Sequence, residues 1–227
     1  MEQQQGFKYF EILSMLFVAV LLISNIAAQK LFAFGPFVFT CGILLFPVSY
    51  IFGDVLTEVY GYARSRIVIW TGLACNLLMV LVLSISVWLP PAPGWPFQEQ
   101  FAATLGMVPR IVAASMLGYW AGEFSNSFTL AKMKILTNGR WLWTRTIGST
   151  VIGEAVDTVI FVLVAFGGIL PSDVIIKTTI SGYLFKVVYE VIATPITYVV
   201  VGFLKRKEGV DTYDRYTNFN PFRLRVE

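Results

Sequence analysis

Six apolar stretches, each bounded by polar or turn-forming residues, dominate the chain at 10–30, 37–59, 66–89, 110–131, 147–169 and 180–204. A helix needs about 20 apolar residues to cross roughly 30 Å of hydrocarbon, so each stretch has the length of a membrane span. Backbone groups in lipid must be satisfied within the span, which leaves helices as the structure for runs of this kind. Only 14% of the 227 residues are charged while 56% are hydrophobic, and so few charges cannot cover the surface of a soluble globule. The expected fold class is all-α: a polytopic membrane protein, a bundle of six transmembrane helices forming a single membrane domain over 1–227. The polar tail 205–227 is too short to bury a core of its own.

Charge placement gives a direction. With both termini cytoplasmic, the inner loops and ends hold Lys8, Arg64, Arg66, Lys132, Lys134, Arg140, Arg145, Lys205, Arg206, Lys207, Arg215, Arg223 and Arg225. The outer side holds Lys30, Arg110 and Lys177, and Lys186 lies within a span. This asymmetry is that of cytoplasmic loops, and an even number of spans follows. The start, Met1 to Lys8, is polar, and the run Ile12 to Ala28 lacks a small-residue cleavage site, so it is read as a retained span. The loop from Pro90 to Pro109 is a rigid turn with Trp95 as an interfacial anchor.

Several chemistries are disfavoured by composition. There is no histidine, and Cys41 and Cys75 both lie in apolar runs, so the common zinc, haem and Ser-His-Asp constellations cannot be assembled and no disulfide is expected. No phosphate-binding loop is present, a net charge of +3 is too small to point to nucleic acid, and no cofactor or metal is expected. Lipid and a small-molecule substrate are the expected partners.

Ionisable groups in lipid are costly and are presumed to face the bundle interior with a function. Asp54, Glu58, Glu123, Glu154, Asp157, Lys186 and Glu190 lie within or at the ends of spans, with the neutral Asn25, Gln29, Asn76 and Asn126. Three groups share a local grammar: Gly53-Asp54 before Thr57 and Glu58, Gly122-Glu123 before Asn126 and Ser127, and Gly153-Glu154 before Asp157 and Thr158. Spacings of three and four put each set on one helix face, and the glycine permits close approach of a neighbour. Such stripes also glue helices without binding anything. Lys186 and Glu190 have the spacing of an intrahelical ion pair. Three interior carboxylates are then left without an internal base, so a shared cavity would suit a cation, a ligand rich in N–H donors, or protons. Tyr183, Phe185 and Tyr189 near these positions fit a flat ligand, although packing alone accounts for aromatics of this kind. Pro47 and Pro195 interrupt two spans, and no inverted repeat is visible.

The stretch from Phe46 to Tyr62, with its core Asp54-x-x-Thr57-Glu58-x-Tyr60-Gly61, resembles the signature of the bacterial queuosine precursor transporters, a vitamin-uptake-like family. Ser24-Asn25 to Lys30, Gly122-Glu123 with Ser125-Asn126, Gly153 to Thr158, Gly209 to Asp214 and Asn220-Pro221-Phe222 agree with it, so the resemblance covers nearly the whole chain. It implies an inner-membrane carrier of 7-deazaguanine precursors of queuosine, chiefly the 7-cyano and 7-aminomethyl forms. It also implies six helices, similar to the substrate-binding subunits of energy-coupling-factor transporters. On that basis Glu154 and Asp157 are expected to hold the base edge, with Glu123 and Asn126 opposite and Asn25, Gln29 and Tyr189 nearby. Lys186 and Glu190 are expected to open during transport, and Asp54 and Glu58 to form a gate with Arg64 or Arg66. A binding subunit dependent on a separate ATP-driven module is the alternative, and an enzyme or a channel is disfavoured. Whether two copies form a homodimer is left open by the sequence.

Overall fold

A computed structural model describes residues 7–27, 30–34, 37–105, 109–168 and 171–223. The described elements are helix α1 (Phe10–Ala27), strands β1 (Leu31–Phe34) and β2 (Phe37–Thr40), a 3-10 turn (Cys41–Leu44), and helices α2 (Phe46–Tyr60), α3 (Tyr62–Trp88), α4 (Gln98–Leu105), α5 (Pro109–Leu136), α6 (Leu142–Phe166) and α7 (Ser172–Glu208). Apart from the small antiparallel hairpin, in which Leu31 faces Thr40 and Phe34 faces Phe37, the fold is helical.

Among the described residues, α1, α3, α6 and α7 are long and apolar enough to cross a membrane. α5 matches them in length but not in apolarity, because Glu123, Ser125, Asn126 and Ser127 interrupt it. The second apolar stretch, expected to be helical over 37–59, is helical only from Phe46. Phe37, Val38, Phe39 and Thr40 are residue types that favour strands, and they pair with β1. Pro47, in the first turn of α2, suits a helix start because its missing N–H has no intrahelical partner there.

At 15 residues, α2 is about 22 Å long and lies at the centre of the bundle, against α1, α3, α5 and α7. Every residue from Gly53 to Gly61 is buried. A helix buried all round is ordinarily apolar. This one carries Asp54, Thr57 and Glu58 into the interior, while large apolar side chains such as Leu78, Val82 and Ile85 on α3, and Ile192, Ile196 and Val199 on α7, point outward. Polar groups inside and aliphatic groups outside is the distribution expected when the surrounding solvent is hydrocarbon.

α2 turns into α3 through Gly61, whose φ of 86° and ψ of 163° are accessible essentially to glycine alone. The tail, 209–223, is strapped over this end of the bundle. Asp214 accepts a hydrogen bond from the Tyr62 amide at 2.9 Å and another from Thr217 Oγ1 at 2.7 Å. Arg66 Nη1 donates to the carbonyls of Asn218 and Asn220, both at 2.8 Å, and Trp70 Nε1 to that of Pro221. Phe219 stacks against Tyr62 and Phe128, and Phe222 against Trp70 and Trp120. The tail has no core of its own and completes that of the bundle instead.

Candidate functional site

The three glycine-carboxylate stripes meet. Gly53 of α2 lies directly against the Glu123 carboxylate of α5, where a Cβ would collide with Oε1. A Cβ on Gly122 would lie 2.7 Å from the Asp157 Cβ of α6, and one on Gly153 would lie 2.7 Å from the Asn126 Cβ. Each glycine therefore makes room for a polar side chain, or its backbone, on the next helix. Asn126 Nδ2 donates to Asp54 Oδ1 at 2.6 Å, and Thr57 Oγ1 to Ser127 Oγ at 3.0 Å. The recurrence that the sequence displays three times is one packed junction of α2, α5 and α6.

α7 supplies the base. Lys186 Nζ lies 2.7 Å from Glu154 Oε2 and 2.5 Å from Asp157 Oδ2. Its ion pairs run across the helix interface, which corrects the expected pairing along α7 with Glu190. Glu190 is buried at 2% exposure, and Tyr189 beside it is half-buried. The layer thus holds Asp54, Glu123, Glu154, Asp157 and Glu190, all within 5% exposure, with Lys186 among them. Both oxygens of Glu123, one oxygen of Asp54 and one of Glu190 have no hydrogen-bond partner among the described residues.

A second cluster lies one turn further along α2, about 6 Å away. Glu58 accepts a two-point hydrogen bond from Arg145 of α6, at 2.6 and 2.7 Å, the strongest geometry open to this pair. Lys205 of α7 is 2.5 Å from Glu58, and Lys134 of α5 is 3.4 Å away. Asp211 of the tail joins both lysines, at 2.8 and 2.5 Å. Partial burial works to raise the Asp211 carboxyl, but hydrogen bonds from Lys134 and Lys205 outweigh it and hold the group below the ordinary aspartate range.

The expected partners of Glu58 are elsewhere. Arg64 Nη1 donates to the Tyr60 carbonyl at 3.3 Å and the guanidinium lies over the Phe7 ring, while Arg66 holds the tail. Asp54 belongs with the acidic layer and not with Glu58. Asn25 is also apart from the carboxylates: its Nδ2 donates to Asn76 Oδ1 at 2.5 Å, beside a space of about 10 Å³ also lined by Ser115 and Tyr119. Gln29 lies outside the described residues. Sequence reading missed Arg145, Lys134, Lys205 and Asp211 as partners of Glu58. It also missed Tyr50, whose hydroxyl lies 3.0 Å from the Cβ position of Gly122. The signal for Tyr50 was its place one turn before Asp54.

A groove of about 390 Å³ runs along Ile67, Trp70, Ala74 and Leu78 on the outside of α3, and neither it nor the small space at Asn25 is lined by a carboxylate. The glycine contacts bring α5 and α6 too close to leave space between them. Among the described residues there is no group of three or more His, Cys, Asp or Glu placed to hold a metal ion.

Residues 40–200, which contain both clusters apart from Lys205 at the end of α7 and Asp211 of the tail, match the family model described as "Putative vitamin uptake transporter". The chain belongs to the vitamin uptake transporter family. It is 31% identical over 160 residues to a "Probable queuosine precursor transporter" of Bacillus subtilis, covering 70% of each chain. It is 26% identical over 164 residues to the "Queuosine precursor transporter" of Escherichia coli, covering 72% of each. No solved structure matches it. This family member is a transporter and not an enzyme, and its apolar helices make it a multi-pass membrane protein.

Proposed function

We propose that this transporter carries 7-deazaguanine precursors of queuosine, the 7-cyano and 7-aminomethyl forms, inward across the bacterial inner membrane for salvage into tRNA. The names of its two relatives support the substrate class. The observation that carries the reading is the pairing of Glu154 and Asp157 with a single ammonium, that of Lys186, inside an otherwise acidic buried layer. A guanine-like edge offers N1–H and an exocyclic amine, which one carboxylate accepts as a two-point pair. The aminomethyl form adds a cation for the second carboxylate.

In this scheme Lys186 holds the empty site closed. Substrate donors take its place on Glu154 and Asp157, α7 separates from α6, and Asn126 meets the ligand from the opposite side. Glu190 and Tyr189 move with α7, and Asn25 lies toward the other end of the path. Exposure of this midplane site then alternates between the two sides. The cluster of Glu58 with Arg145, Lys134 and Lys205 acts as the inner gate, and Asp54, one turn away on α2, belongs to the acidic layer that the gate covers.

Six helices, α1, α2, α3, α5, α6 and α7, form the membrane bundle in this reading, similar to energy-coupling-factor substrate-binding subunits, with α4 at the surface. Both termini face the cytoplasm, supported by the gathering of Arg66, Lys134, Arg145 and Lys205 at the end that holds the tail. Thermal unfolding of the purified protein with each deazaguanine tests the substrate class. A midpoint raised by the 7-cyano or 7-aminomethyl base and not by adenine supports it; no shift with either base contradicts it.

A further inference from the structure

We propose that Glu123 is a coupling-proton site, so that the substrate crosses together with a proton carried on this carboxyl. The inference rests on the transport reading above and adds its driving force.

Glu123 is fully buried, and neither of its oxygens has a hydrogen-bond partner among the described residues. The groups facing it are acids and phenols: Tyr50 and Asp54 from α2, Tyr119 from its own helix, and Glu154 and Asp157 from α6, while Glu190 of α7 faces Asp54 and Glu154. The base in this layer, Lys186, is taken up by Glu154 and Asp157. Five ionised carboxylates around one ammonium would bury a large net negative charge, which lipid-embedded protein does not tolerate. Protons must make up the balance. Asp54 has the Asn126 amide as a donor, and Glu154 and Asp157 share Lys186. Among the described residues Glu123 has no hydrogen-bond donor and no ion pair, so a proton is what makes its burial possible. Gly53, by lacking a Cβ, leaves room for this carboxyl group.

A second observation points to a route. The space of about 10 Å³ between α1, α3 and α5, close to the minimum for one water, is lined by Asn25, Asn76, Ser115 and Tyr119. The Tyr119 hydroxyl is buried and has no hydrogen-bond partner among the described residues, and Tyr119 stands one turn before Glu123 on α5. Polar groups thus lead from the end away from the tail to Glu123. The O–H bond forms on Glu123 with a proton taken from water on that side, and breaks when α7 has moved and water reaches the carboxyl from the other.

The test uses purified protein in liposomes with the voltage clamped and neutral 7-cyano-7-deazaguanine as probe. Wild type should exchange the probe at equal pH, and an inward gradient of one pH unit should accumulate it about tenfold. Infrared spectra at neutral pH should show a protonated-carboxyl band that shifts in D₂O and is lost in Glu123→Gln, a readout that does not require the variant to transport. Glu123→Asp should restore such a band. Exchange without accumulation overturns the inference and leaves the transport reading intact; a band unchanged in Glu123→Gln overturns the assignment to this residue. Absence of any exchange overturns both.

Discussion

Gly122 of α5 and Gly153 of α6 are in backbone contact: a Cβ added to either would lie 2.9 Å from the carbonyl oxygen of the other. The crossing brings the acidic stripes of the two helices onto one level, and α2 closes the junction by seating Gly53 on Glu123. Small residues at a crossing are how membrane helices approach without a hydrophobic driving force between them.

Gly122→Ala should therefore separate α5 from α6. Its added methyl meets the Asp157 Cβ and the Gly153 carbonyl, neither of which can rotate away. A loss of about 1 to 3 kcal/mol is expected, as for overpacking elsewhere. Thermal unfolding in detergent reads this as a lowered midpoint. An unchanged midpoint would mean that the two helices are not in contact at this level.

The Glu58 cluster should respond unequally to its members. Glu58→Gln leaves the buried Arg145 and Lys134 and the part-buried Lys205 with, among the described residues, Asp211 for balance, so a loss of about 3 to 5 kcal/mol is expected. Arg145→Gln should cost less, since two lysines remain on Glu58. Arg64→Gln should change little, because among the described residues Arg64 donates to the Tyr60 carbonyl and rests on the Phe7 ring, with no carboxylate in the ion-pair range. Equal losses for Glu58→Gln and Arg64→Gln would restore the arrangement expected from sequence.

Asp211 gives this cluster a pH dependence. Its folded-state carboxyl is held below the ordinary aspartate range, because hydrogen bonds from Lys134 and Lys205 outweigh partial burial. A depressed value stabilises the fold above the unfolded-state range, and the contribution disappears as pH falls through the lower, folded value. Stability should thus decline on acidification from the ordinary aspartate range downward, and Asp211→Asn should flatten that decline. Urea unfolding across pH 3 to 6 (roughly the span of carboxylate titration) compares the two proteins. Parallel slopes would remove the tail from the cluster.

Much of this organisation is legible in the sequence because lipid imposes severe rules. Apolar length predicts α1, α3, α6 and α7, and the glycine-carboxylate spacing predicts which faces of α2, α5 and α6 look inward. Partner choice is not legible, because it depends on helix rotation and on rise between helices that are distant in the chain. Lys186 reads as the partner of Glu190 at four residues' distance, yet in the bundle it projects onto α6. Arg145 reads as one more inner-side charge, yet it enters the bundle to meet Glu58, 87 residues away. The hairpin at Leu31–Phe34 and Phe37–Thr40 is hidden for a related reason: its phenylalanines and valine are as apolar as a span, and only pairing shows that they are strands. The tail is polar in composition, and its role depends on backbone carbonyls that Arg66 and Trp70 reach.

Uptake of labelled 7-cyano-7-deazaguanine into liposomes, comparing wild type with Glu154→Gln, is the most direct test of a buried acid pair as the substrate site. Wild type should take up the base, and Glu154→Gln should abolish uptake while keeping a folded protein of unchanged elution volume. Uptake by Glu154→Gln at the wild-type rate would contradict that assignment.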